Sequence, residues 1–190
     1  SSALRVTDWT DDGRFLVYEA ADDILALPAG TGGGDPVPIV TTPSFEAAGK
    51  VSPDGRWIAF HSADSPGDDN VYIQPFPGPG ARTRVSAGFG RHPHWRADMK
   101  ELFWQGIAPG DASNPRTVYS AELTIAGHTV RAGAPQVVLP PHVRLTPLVD
   151  DRPHWIVTAD GQRFLLRQPD GRPRPAVQVI LNWKDQLGGR

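Results

Sequence analysis

Val51-Ser52-Pro53-Asp54-Gly55-Arg56-Trp57-Ile58-Ala59-Phe60 is the stretch that decides the fold. Asp-Gly flanked by two apolar runs is the strongest short-range hairpin signal, because the turn needs positive φ that these residues tolerate. Pro53, one residue before Asp54, strengthens the turn, and Trp57-Ile58-Ala59-Phe60 is too short for a helix and reads as a buried strand. The phrase recurs as Trp9-Thr10-Asp11-Asp12-Gly13-Arg14-Phe15 and as Val157-Thr158-Ala159-Asp160-Gly161-Gln162-Arg163. A degraded copy is Trp95-Arg96-Ala97-Asp98-Met99-Lys100-Glu101, where Met99 replaces glycine and predicts a strained or reshaped turn. Anchored on Asp12, Asp54, Asp98 and Asp160, the spacings are 42, 44 and 62 residues. The first two match the period of a propeller blade, about 40–45 residues, and the last carries insertions.

Working outward, each turn is followed by a central strand: Phe15-Leu16-Val17-Tyr18, Trp57-Ile58-Ala59-Phe60, Leu102-Phe103-Trp104 and Phe164-Leu165-Leu166. Third strands are expected at 24–27, 71–74, 117–123 and 176–181, and outer strands at 37–40, 82–85 and 136–139. Pro38 suits an outer edge, where a missing N–H breaks no ladder. The fourth copy lacks an outer strand. Residues 106–115 read as a long Gly/Pro-containing loop. The reading is therefore all-β: one propeller fragment over 1–190, with four antiparallel four-stranded units at about 4–42, 45–88, 89–140 and 153–183, the last short of a strand.

Composition agrees. Gly and Pro number 20 each and fall between apolar runs, which suits short strands joined by turns. Net charge is −2, from 19 basic and 21 acidic residues without a basic block, which disfavours a nucleic-acid partner. No apolar run approaches the roughly 20 residues of a membrane span. Cysteine is absent, which excludes disulfides, thiolate metal sites and cysteine nucleophiles. The chain begins without Met in a strand-like segment, Leu4-Arg5-Val6, and is read as a piece of a longer protein.

The ten residues from Val51 to Phe60, with Val71-Tyr72-Ile73-Gln74-Pro75-Phe76-Pro77-Gly78, His92-Pro93-His94-Trp95 and Gln178-Val179-Ile180-Leu181-Asn182-Trp183, resemble the repeats of TolB-like, WD-like β-propellers. The combination is similar to the C-terminal propeller region of bacterial serine/threonine protein kinases. The resemblance implies a non-catalytic module that senses or binds, placed outside the cytoplasm. It also implies a six-bladed ring, of which four units are counted here, so self-association through open blade edges is expected. No kinase signature is present: no Gly-rich loop, His-Arg-Asp or Asp-Phe-Gly. TolB-like propellers also gate prolyl-oligopeptidase-type hydrolases, but Gly-x-Ser-x-Gly is absent. The alternatives to sensing are that gating role and a purely structural scaffold.

Candidate contacts for a protein or small-molecule ligand cluster near the inner-strand ends at the channel face: Phe45, Glu46, Arg91, His92, His94, Arg152 and His154. His92 and His154 are equivalent by alignment on the turns. His92-Pro93-His94 would put two imidazoles on one face of a strand, a usable metal geometry, but no carboxylate lies close in sequence to complete a triad, so no metal and no cofactor is assigned. The pairs Asp22-Asp23, Asp68-Asp69 and Asp150-Asp151 are placed in loops. The stretch from Asp64 to Asn70 offers hard oxygens without EF-hand spacing and reads as a solvated hairpin loop. Catalytic residues are not assigned. The tryptophans, Trp9 and Trp95 before turns and Trp57 and Trp104 on central strands, are read as packing between blades.

Overall fold

Four copies of one hairpin build four sheets in chain order. The computed structural model describes residues 4–30, 33–63, 65, 67–107, 116–140, 143, 145, 153–168 and 176–181. The first sheet contains β1 (Arg5–Trp9), β2 (Phe15–Ala20), β3 (Asp23–Pro28) and β4 (Val37–Val40), in that order and antiparallel. The second repeats it with β5 (Phe45–Val51), β6 (Trp57–Ala63), β7 (Asp69–Pro75) and β8 (Thr83–Arg84). The third has β9 (Gly90–Trp95), β10 (Glu101–Ile107) and β11 (Arg116–Ala126), with β12 (Thr129–Ala132) and β13 (Gln136–Val137) both on β11. The fourth has β14 (Trp155–Val157), β15 (Arg163–Gln168) and β16 (Ala176–Leu181).

The turn between the first and second strands is the same object four times. Backbone N–H groups of Gly13, Gly55, Met99 and Gly161 donate to the carbonyls of Thr10, Ser52, Arg96 and Thr158 at 2.8–2.9 Å. The anchor aspartate then accepts the next backbone N–H, from Arg14, Arg56, Lys100 or Gln162, at 3.0–3.1 Å. In three copies a hydroxyl, of Thr10, Ser52 or Thr158, donates to the same carboxylate. In the third, Arg96 takes its place with two bonds to Asp98, at 2.6 and 2.8 Å. The Arg14 N–H first, with the Thr10 hydroxyl, holds the Asp12 carboxyl down to about 2; the Arg96 guanidinium does the same for Asp98, also about 2. Met99 does not reshape its turn. It adopts φ 59°, against 71°, 71° and 72° at Gly13, Gly55 and Gly161, and carries the left-handed strain that glycine avoids.

Alternation along each central strand assembles the core between sheets. Val17 on β2 packs with Ile58 and Phe60 on β6; Trp57 and Ala59 on β6 pack with Leu102 and Trp104 on β10; Phe103 packs with Phe164 and Leu166 on β15. Thus one face of each central strand looks forward to the next sheet and the other looks back, which is blade-on-blade stacking. Trp57, Trp104 and Trp155 are buried in these seams. Trp9 departs from the packing role expected of it: it is 62% exposed, whereas its equivalent Trp95 donates through Nε1 to the Lys50 carbonyl of the preceding sheet at 2.9 Å.

Part of the insertion in the third copy is β12, which extends β11 through a turn at Gly127 with φ 58°. The outer strand expected over 136–139 is β13, limited to two residues, and the one expected over 82–85 is β8, also two. Asp23 and Asp69 lie in strands instead of loops. Asp150 and Asp151 fall outside the described residues, as do most of the long loop and Asp64. Among the described residues no helix is long and apolar enough to cross a membrane.

Candidate functional site

First strands of the sheets converge on one cleft of about 450 Å³. It is lined by Arg5, Val6 and Thr7 of β1, Ala48 and Lys50 of β5, His92 and His94 of β9, Glu19, Pro93 and Pro153. A bulge shapes each of the first three strands there. Register shifts fall between Val6 and Asp8, between Ala47 and Lys50, and opposite Phe103–Gln105 on β9. Ala48 and His92 occupy the bulges in left-handed conformation, φ 54° and 53°.

The charged groups of the cleft are paired. Arg5 bonds Glu19 at 2.5–2.7 Å, and the other Glu19 oxygen accepts the bulge N–H of Ala48 at 2.5 Å. Lys50 donates to the Thr7 carbonyl and lies 3.4 Å from Asp8, whose second oxygen accepts the Val51 N–H at 2.8 Å. Burial pushes the Asp8 carboxyl up despite Lys50. Two carboxylates therefore knit β1 to β5 at the rim of the cleft, holding its wall in one shape.

Behind the cleft the blade seams turn polar. Seven residues past each anchor aspartate stand Glu19, His61, Gln105 and Arg167, at the far end of each central strand. Glu19 meets the bulge at Ala48, and His61 meets the bulge residue His92, ring to ring at 5.4 Å. His61 is fully buried, and among the described residues neither of its ring nitrogens has a hydrogen-bond partner; the same holds for both amide atoms of Gln105. Burial, then the neighbouring His92 and Arg91, holds the His61 imidazole well below its usual range. Burial first and Arg91 second bring His92 down to about 3; burial and Lys50 bring His94 to about 3. These imidazoles are therefore held in the neutral form at ordinary pH.

The expected contact residues divide. His92 and His94 line the cleft but do not share a face: His92 packs on His61 of the second blade, His94 on Trp155 of the fourth at 4.6 Å. The bulge at His92 breaks the strand alternation that a His-x-His reading assumes. Glu46 is buried with its carboxylate on the Thr42 N–H and hydroxyl, and burial raises its pKa. Phe45 packs beside His61 at 5.9 Å. Arg91 pairs with buried Asp69 at 2.9 Å. His154 lines an adjoining depression with Trp155, Ile156 and Leu165. Arg152 lies outside the described residues. Among the described residues no group of three or more His, Asp or Glu side chains is placed to hold a metal ion. Sequence reasoning missed Arg5, Glu19, Lys50, His61 and Gln105. The signal for three of them was the recurrence of a polar residue at one offset from the anchor, at the end of an otherwise apolar strand.

No family model and no curated protein matches the sequence. Solved structures do. A putative TolB from Agrobacterium tumefaciens superposes with a TM-score of 0.71 over 95% of this chain, at 17% identity. The fold is that of a TolB-like β-propeller. TolB from Acinetobacter baumannii gives 0.63 over 95% at 18% identity, and a puromycin-hydrolyzing peptidase from Mycobacterium tuberculosis gives 0.64 over 92% at 18% identity. The chain spans 58%, 43% and 30% of the lengths of those three proteins. The propeller likeness accounts for the convergence of the first strands, since blades set around an axis bring their innermost strands together.

Proposed function

We propose that this chain is a non-catalytic recognition module that holds a protein or small-molecule ligand in the cleft where the first strands meet. The observation that carries the reading is the cleft itself: about 450 Å³, contributed to by four blades, with its ionic groups paired and its imidazoles neutral. Concave, largely preformed sites with a few fixed polar groups are the ordinary form of ligand pockets. Val6 is 59% exposed on the cleft wall, so Val6→Trp fills the site without entering the core. Ligands or partners that bind the wild-type propeller in calorimetry should lose binding to Val6→Trp while the melting temperature holds. Equal binding by both would reject the site. Turnover of a peptide, lactone or uronide substrate that His92→Ala and His94→Ala abolish would reject the non-catalytic reading.

The proposal extends to a parent protein, a larger bacterial receptor-type serine/threonine kinase, with the propeller outside the cytoplasm; its support is the repeat resemblance alone. The likeness to the puromycin-hydrolyzing peptidase favours a second reading, a propeller that gates a hydrolase. Sequence encoded upstream of Ser1 discriminates them: a kinase domain with a membrane helix, or a hydrolase domain with its nucleophile elbow. Self-association through open blade edges is part of the proposal. Leu4, Val6 and Trp9 on the first blade and Ile156 and Leu165 on the fourth are the large exposed apolar side chains among the described residues. Sedimentation that stays monomeric across concentration would remove it.

A further inference from the structure

Each seam between successive blades is made by the same stations of the repeat. The residue five past the anchor aspartate faces the next blade, and Val17, Ala59 and Phe103 are fully buried there. The residues four and six past the anchor face the preceding blade. Ile58 and Phe60, Leu102 and Trp104, and Phe164 and Leu166 do so, all at most 1% exposed. The two ends of the chain break this pattern in opposite senses. On the fourth blade the forward-facing station is Leu165, 39% exposed, and Ile156, paired with it on β14, is 55% exposed. On the first blade the backward-facing stations are Leu16 and Tyr18, only half-buried. Beside them Trp9 and Val6, paired with Leu16 and Tyr18, are exposed. The chain therefore carries one uncovered face of each kind and does not close them on each other.

A hydrogen bond sets the register of a seam. Trp95, three residues before its anchor, donates through Nε1 to the carbonyl of Lys50, four before the anchor of the preceding blade, at 2.9 Å. Trp9 holds the station of Trp95 on the first blade, and Ile156 holds that of Lys50 on the fourth. The backbone agrees: Lys50 pairs with Ala59 and Ile156 with Leu165, the same register relative to the anchor. A Trp9 indole brought to the fourth blade in the geometry of the existing seams meets the Ile156 carbonyl.

We infer that two copies of this chain stack head to tail, the first blade of one on the fourth blade of the other, with Trp9 of one copy donating to the Ile156 carbonyl of its mate. The partner is a second copy because a forward-facing blade surface is fitted by a backward-facing one, as three seams within the chain show. Burying Leu165 and Ile156 against Trp9, Leu16 and Tyr18 removes apolar surface from water on both sides. The contact is heterologous, since each copy offers a different patch. The inference rests on the self-association proposed above and assigns its two surfaces and their polarity.

Sedimentation velocity of the wild-type chain and two single-face variants tests it. Trp9→Arg blocks the first-blade face and Leu165→Arg the fourth, both at exposed positions. Both new charges are positive, so the altered faces repel each other. The wild-type chain should associate between about 1 and about 100 micromolar. Each variant alone should stay monomeric over that range. An equimolar mixture should form a one-to-one dimer, because each variant supplies the face that the other lacks. Trp9→Phe, which keeps a ring and loses the N–H, should weaken wild-type association about threefold to tenfold. Ile156→Arg serves as the fourth-blade variant if the melting curve of Leu165→Arg shows it unfolded. Dimers of one variant alone, with nothing added by mixing, would mean that like faces pair; the inference fails and self-association stands. Variants that associate as the wild type does would place the contact elsewhere and also overturn it. A wild-type chain that is monomeric at every concentration removes self-association itself and leaves the two faces to another occupant.

Discussion

Acidification should weaken this propeller well above the range in which its carboxylates titrate. His61 is fully buried and His92 is 3% exposed, and their rings face each other across the seam between the second and third blades. The charges facing them are those of Arg91 on β9 and Arg5 on β1, both cationic, with Glu19 paired to Arg5 and Asp69 to Arg91. Folded, both imidazoles resist protonation, His92 down to about 3 and His61 well below its usual value. Unfolded, each takes a proton near pH 6.5. The folded pKa lies below the unfolded one, so stability is complete above pH 6.5 and declines as pH falls from there toward 3. Two groups taking up protons on unfolding give a slope of about 2.7 kcal/mol per pH unit, or about 4 kcal/mol lost by pH 5. That is a large part of a typical stability of about 5–15 kcal/mol. His94, lowered to about 3 by burial and Lys50, adds up to one further proton to that slope. Urea melts at pH 7, 6 and 5 measure the slope. His61→Phe keeps a ring against Phe45 and His92 and should lower the slope by about one proton, about 1.4 kcal/mol per pH unit. A wild-type slope below one proton between pH 6 and 5, or a slope unchanged in His61→Phe, would refute the reasoning.

Four substitutions test the repeat itself. Met99→Gly should stabilise by about 0.5–1 kcal/mol, the relief of left-handed strain less the added freedom of the unfolded chain, and raise the melting temperature by about 2 °C. Gly55→Ala should cost about 1 kcal/mol or more, because the space beside Gly55 is open and the φ of 71° alone opposes a side chain. A destabilised Met99→Gly in thermal melts would show that the methionine contacts outweigh its backbone strain. Trp95→Phe removes the 2.9 Å bond to the Lys50 carbonyl and should cost about 1–2 kcal/mol, whereas Trp9→Phe, at an exposed site, should stay within about 0.5 kcal/mol. Equal costs in chemical denaturation would mean that the two tryptophans are held alike.

The fold was legible because one local device recurs. Asp12, Asp54, Asp98 and Asp160 each fold their own turn with bonds that span a few residues, so the sequence around each anchor contains the information. Met99 shows the limit of that reading: glycine announces positive φ, but Arg96 supplies enough bonds to Asp98 to hold a methionine there. The bulges at Ala48 and His92 were not legible, because neither residue favours left-handed backbone. Ala48 is fixed instead by Glu19, 29 residues away. This is why the two histidines were expected on one face and are found on two. Glu46 turns inward through a nearer partner: Thr42, four residues before it in the connection ahead of β5, holds its carboxylate. Strand β12 was hidden within a stretch counted as insertion, with Gly127 as its turn residue.

The offset of seven residues ties the repeat to its use. Up to that position a central strand meets the next blade with apolar side chains, Val17, Ala59 and Phe103 among them. At it, Glu19 and His61 each present a polar group to the bulged first strand of the next blade. Glu19 shows what such a group does when satisfied: it takes the exposed N–H of a left-handed residue and a neighbouring arginine, and so fixes the rim of the cleft. His61 and Gln105 occupy the same station fully buried, with no hydrogen-bond partner for their polar atoms among the described residues, which is a costly arrangement. The first two seams thus grade from an apolar end that holds blades together to a polar end beside the cleft-lining residues Ala48 and His92. The apolar part of the repeat holds the blades together, and the residue that ends it changes from Glu19 to His61 to Gln105 to Arg167 along the chain.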